Sequence, residues 1–127
     1  MKEYSFEKLE VWQLAKKFVI RIYKASNKFP DSEKYCIVNQ LRRAAISIPN
    51  NIAEGSGRVS GKDKANYTQI AFGSLMECLN LIIISHELNF IDDKKTQILR
   101  NDIEILSRKL SNLRRAQLSC TPKPLNP

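Results

Sequence analysis

A chain of 127 residues has length for one hydrophobic core, which excludes a second domain. Four glycines and five prolines, in a background rich in Leu, Ile, Ala, Lys and Asn with few strand-like alternations, favour an all-helical class. The formal charge of +8, with its basic excess at both ends of the chain, points to anionic partners, nucleic acid before an acidic membrane; the plain alternative is solubility alone.

The first helix is predicted from Phe6 to Lys28, apolar at Leu9, Val11, Trp12, Ala15, Phe18, Val19, Ile22 and Tyr23 and closed by Pro30. A second starts near Asp31 or Ser32, with Val38, Leu41, Ala45, Ile48 and Ile52 on one face, and ends at Gly55 as a left-handed cap. Pro49 interrupts it. Proline lacks the amide hydrogen and crowds the carbonyl four residues back, so this helix is predicted to kink or restart there. After a Gly-Ser-Gly-Arg linker, Ser60 and Asp63 have capping-box spacing and open a third helix reaching about Leu88. Asp92 and Asp93 open the fourth, whose Leu99, Ile103, Leu106, Leu110 and Leu113 alternate four and three apart, a seam suited to antiparallel packing. The expectation is one antiparallel four-helix bundle over residues 1–118, followed by a disordered proline-containing tail over 119–127.

The third helix is apolar around most of its axis, with Glu77 its only charge between Lys64 and Glu87. A membrane span needs about 18 or more apolar residues, and this run is shorter, so burial against another subunit is the expectation. A carboxylate amid apolar residues is costly to bury alone, so Glu77 is expected inside, facing Arg42, Arg43 or a polar group near the kink.

Lys17, Arg21, Lys24 and Lys28 fall at i, i+4, i+7 and i+11, one narrow stripe able to track phosphates. Lysines at a helix end also suit the helix dipole, which is the bland reading. On the fourth helix Glu104 is placed to pair with Arg108, leaving Lys109, Arg114 and Arg115 as a second basic patch.

Catalytic parts are missing. His86 is the only histidine, and Cys36, Cys78 and Cys120 have no CxxC spacing, so neither a metal site nor a cofactor is expected. Residues Ser56 to Asp63 narrowly miss a phosphate-binding P-loop, with Ser56 where its first glycine belongs and a helix, not a strand, before it. No arginine precedes His86 as in the four-helix HEPN ribonucleases, and His86 reads as a helix-end residue. The chain is read as no enzyme. No apolar signal segment follows Met1-Lys2-Glu3, and the odd cysteine count fits a reduced cytoplasm.

Several blocks together resemble the four-helix-bundle family of 23S rRNA-intervening sequence proteins: Phe6-Glu-Lys-Leu-Glu-Val-Trp-Gln13, Ile22-Tyr23, Phe29-Pro30, Gln40-Leu-Arg-Arg-Ala-Ala-Ile-Ser-Ile-Pro-Asn-Asn-Ile-Ala-Glu-Gly55, Gly57-Arg58, and Gly73-Ser74 with Glu77. The likeness covers about residues 4–115. It marks Gln40, Arg42, Arg43, Asn50, Asn51, Glu54, Gly55, Arg58 and Glu77 as family-motif positions, structural or binding. What the resemblance implies is a bacterial, non-enzymatic binding protein assembled as a homopentameric ring. A related branch, the accessory variability proteins of diversity-generating retroelements, binds nucleic acid and a reverse transcriptase through basic surfaces. The resulting expectation is a nucleic-acid-binding oligomer without membrane association, with a reverse transcriptase or other protein as further partner; the alternative is a protein-binding adaptor whose basic surface keeps it soluble.

Overall fold

The computed structural model describes residues 1–119, and the tail expected to be disordered lies, beyond Ser119, outside the described residues. Four helices carry the fold: α1 (Glu10–Ser26), α2 (Ile37–Ser56), α3 (Gly61–Glu87) and α4 (Asp93–Ser119), with no strand among the described residues. Each packs on its two neighbours in the order α1, α2, α3, α4 and back to α1, so α1 stands diagonally across the bundle from α3. Phe18, Ile22, Leu41, Ile48, Leu75, Ile82, Leu106 and Leu110 fill the centre with almost no exposure. Each such side chain contributes about 1.5–3 kcal/mol by leaving water.

Two helix starts differ from the sequence expectation. Residues Ser5–Lys8 form a separate 3-10 turn, and Leu9 is extended (φ −71°, ψ 125°), so α1 begins at Glu10 rather than Phe6. Tyr4 donates its amide to the Glu7 carboxylate at 2.7 Å, and Phe6 packs edge-on against Trp12 with ring centres 5.1 Å apart. The local hydrogen bonds of this turn compete with the first turn of a longer helix. Asp31–Glu33 likewise forms one 3-10 turn, and the non-helical backbone of Cys36 (φ −114°, ψ −103°) delays α2 until Ile37.

Two other ends follow local chemistry. The Ser60 hydroxyl accepts the Asp63 amide at 3.1 Å, capping α3 as its spacing predicts. At the other end, Asn89 adopts φ 63°, and the amides of Asn89 and Phe90 reach back to the His86 and Ser85 carbonyls at 3.0 and 2.9 Å. This reverse-turn cap satisfies two helix-end acceptors. It also brings Phe90 to Phe29, joining the two loops at one end of the bundle.

Gly55 is not a left-handed cap: no glycine among the described residues has positive φ, and α2 runs one residue beyond it. Its role is close approach. A Cβ there would meet the Tyr67 Cβ at 2.9 Å and the Lys64 carbonyl oxygen at 3.3 Å, so hydrogen is what lets α2 and α3 converge. Farther along the same interface, the Ser47 and Ser74 hydroxyls meet at 2.8 Å, and Asn51 donates to the Ser47 carbonyl at 2.7 Å. Pro49 lies within the continuous α2, so the chain does not restart there, although Pro49 offers Ala45 no amide.

Glu77 is exposed, which corrects the expectation of a buried ion pair. The reason is helical phase. Ala71, Leu75, Cys78, Ile82 and Ser85 occupy the inward face of α3, which puts Gly73, Glu77, Asn80 and Ile84 on the outward one. Arg42 turns instead to α1, donating Nε to the Ser26 hydroxyl at 2.9 Å and lying 4.5 Å over the Tyr23 ring; Arg43 is exposed. Contrary to the expectation that its apolar run is too short, α3 is long and apolar enough to cross a membrane, yet its inward residues are sealed by α2 and α4.

Burial pushes the Cys78 thiol up to about 12 from an ordinary 9.0, with the Glu77 carboxylate adding to the effect. Unfolding restores the ordinary value, so the neutral thiol's contribution is complete below about pH 9 and is lost as pH rises towards 12. Cys78→Ala should therefore flatten the alkaline limb of a stability–pH curve measured by chemical unfolding; an unchanged limb would show that Cys78 does not govern it. Gly55→Ala should destabilise the fold by about 1–3 kcal/mol despite alanine's better helix propensity, because the methyl overpacks the interface. Gly57→Ala, whose Cβ would meet its nearest neighbour at 3.5 Å, is the control and should stay within about 0.5 kcal/mol.

Candidate nucleic-acid interface

α4 returns antiparallel beside α1, and the register of the two decides which cations share a surface. At one end Lys109 Nζ pairs with the Glu10 carboxylate at 2.8 Å. Midway, Arg21 Nη1 reaches both oxygens of Asp102 at 2.7 Å. At the far end Lys24 and Lys28 from the α1 side meet Lys95 of α4 around an open groove of about 320 Å³, lined also by Arg21, Ala25, Ile98 and Leu99.

That register divides the predicted α1 stripe. Arg21 is compensated by Asp102, and Lys17 edges a small cleft beside the same carboxylate. Lys28 lies just beyond the helix end at Ser26. Among the described residues Lys24, Lys28 and Lys95 form no ion pair, which leaves their charge available to an anion. Close approach of the Lys28 side chain and its like charge hold the Lys95 pKa below the ordinary lysine value, while the Asp92 carboxylate acts the other way. An anion seated between two such ammonium groups relieves their repulsion.

The second predicted patch is not one surface. Lys109 faces α1 through Glu10, whereas Arg114 and Arg115 line a different groove with Thr68, Gln69 and Phe72 of α3. Glu104 and Arg108 make no ion pair among the described residues, and both are exposed. Of the family-motif positions, Glu54 and Arg58 pair at 3.1 Å, and Arg58 also donates to the Tyr67 hydroxyl and stacks 4.7 Å over its ring. They fasten the α2–α3 turn. Arg42 and Gly55 serve helix packing, Asn51 bonds back to Ser47 within α2, and Gln40, Arg43, Asn50 and Glu77 are exposed.

Lys95 escaped the sequence reading, although one signal marks it. Lys94 and Lys95 stand in the first turn of α4, the helix end at which the dipole disfavours cations. Residues that defy a local preference tend to be explained by something outside the helix.

A larger cavity, about 690 Å³, sits at the opposite end and is lined by Leu9, Ile52, Val59, Leu113 and Ala116, with Lys64 the cation among its described lining residues. It lacks the convergent charge of the α1–α4 groove. His86 Nε2 contacts the exposed Asp93 carboxylate across the α3–α4 turn, an arrangement that ties the turn together. No group of three or more His, Cys, Asp or Glu residues among the described residues could hold a metal ion.

The family model described as 23S rRNA-intervening sequence protein matches residues 7–112. Among solved structures, the chain is similar to a protein of unknown function from the S23 ribosomal protein family of Bacteroides thetaiotaomicron, at 21% identity and a TM-score of 0.77. That match covers 83% of this chain and 98% of the other, and it establishes a shared fold. Comparison with curated proteins finds no match.

Proposed function

The chain belongs to the 23S rRNA-intervening sequence protein family, and from that premise we propose that it is a non-enzymatic oligomeric scaffold binding nucleic acid through its α1–α4 groove. One observation carries the reading: Lys24 and Lys28 from the α1 side converge with Lys95 of α4 and form no salt bridge among the described residues, with the Asp92 carboxylate beside the Lys95 backbone answering only part of their charge. Groups that attract a phosphate backbone need charge and reach, and a chain of this length gains affinity by repeating a modest site around a ring. Arg114 and Arg115 provide a second, separate contact surface on each subunit.

Assembly as a homopentamer is part of the proposal. Its support is the outward side of α3, where Ile70, Ile83 and Ile84 are 50%, 37% and 40% exposed on a single chain. Ile70 and Ile84, 14 residues apart, share one side of the helix with Ile83 on its flank, and exposed apolar groups so placed favour burial against a second surface. α3 stands diagonally opposite α1, so subunits joined through α3 leave the α1–α4 groove open to solvent.

Nucleic-acid affinity should fall steeply with salt. Changing Lys24, Lys28 and Lys95 together to glutamine should reduce the logarithmic salt slope by roughly 0.7 per lost contact on single strands or 0.9 on duplex. Asp102→Asn should act in reverse, releasing Arg21 and steepening the slope by about one contact. Titrations at several salt concentrations check both; a protein partner bound equally well at low and high salt, with no nucleic-acid binding, would instead make the chain an adaptor.

Light scattering tests the assembly. A mass of five subunits is expected for the parent chain, and Ile84→Asp should lower it by placing a charge on the apolar face. A parent that stays monomeric at micromolar concentration defeats the ring and the avidity argument with it.

A further inference from the structure

Building on the nucleic-acid reading above, we infer that the α1–α4 groove selects an unpaired strand over a duplex, with Ile98 as the residue that discriminates. The groove is not a uniformly cationic track. Between the ammonium groups of Lys24, Lys28 and Lys95 runs an apolar floor of Ala25, Ile98 and Leu99, and Ile98 keeps 42% of its surface exposed. At about 320 Å³ the space is at the small end of ligand pockets, suited to one nucleotide-sized group.

A duplex can use only part of this. Its bases are stacked and paired inside, so it offers the lysines phosphates and leaves the apolar floor wet. A single strand presents both components: a phosphate for the Lys28–Lys95 pair, and a base face that covers Ile98. Charge alone argues the other way, because duplex DNA releases more counterions per phosphate contact than a single strand. Preference for the single strand therefore diagnoses the floor rather than the lysines. Tyr35, 83% exposed in the loop that follows α1 at the same end of the bundle, adds an aromatic face beyond the groove on which a further base can stack.

The test uses the full chain and fluorescence anisotropy with labelled oligo-thymidine and oligo-uridine, each against its duplex with the complementary adenine strand of equal length. The single strands should bind about tenfold tighter than the duplexes at the same salt, in line with burying the exposed part of one isoleucine side chain. Ile98→Ser should remove most of that advantage while duplex affinity, salt slope and thermal melting stay near those of the parent. Lys95→Gln should weaken both forms and flatten both slopes. Equal or tighter binding of duplex, or an Ile98→Ser variant with unchanged single-strand affinity, overturns the inference and leaves the nucleic-acid reading standing. Failure of the parent to bind any of the four probes at low salt overturns both.

Discussion

The antiparallel return of α4 along α1 is the constraint on which the rest depends, because it closes the bundle and sets the groove at once. Its register is fixed by apolar side chains: Phe18 of α1 and Leu106 of α4 are sealed together with Leu14 and Ile105 at the edge. Sliding α4 by one residue would rotate its Leu99, Ile103, Leu106 and Leu110 seam off the core. The ion pairs Glu10–Lys109 and Arg21–Asp102 then mark this register on the surface. Exposed pairs contribute at most about 1 kcal/mol each, so they orient rather than hold the helices.

The same seam sorts the cations by chemistry. Where a carboxylate stands opposite, as Asp102 does for Arg21, the positive charge is answered within the chain. Where Lys95 stands opposite Lys28, like charges meet, and the Lys95 pKa is lowered. Along one interhelical line the surface thus passes from compensated to uncompensated charge, and the apolar floor lies at its uncompensated end.

α3 presents the opposite problem. Its inward face is packed by both α2 and α4, and the close approach at Gly55 brings α2 onto it without an intervening side chain. The outward face keeps isoleucines and the Glu77 carboxylate together in solvent. A charge on such a face costs nothing while hydrated and acquires a cost when a second surface covers it. In a ring, Glu77 would belong to the contact between subunits and not to the core of one.

The sequence by itself determined four helices, the Ser60 cap, the leucine seam of α4 and the core face of α2, because each rests on spacing within a few turns of one segment. It misjudged the starts of α1 and α2, where short 3-10 turns compete with helix extension, and it misjudged the phase of α3, whose apolar residues surround the axis and so leave the inward face undefined. It also supplied Lys17, Arg21, Lys24 and Lys28 as a stripe, since i, i+4, i+7 spacing is local. Only the tertiary structure decided that Asp102 neutralises Arg21, that Lys109 belongs to Glu10, and that Lys95 joins Lys24 and Lys28 around an apolar floor. Those pairings join residues far apart in the chain, and the distance between them is set by how α4 packs on α1, a quantity that no periodicity within either helix contains.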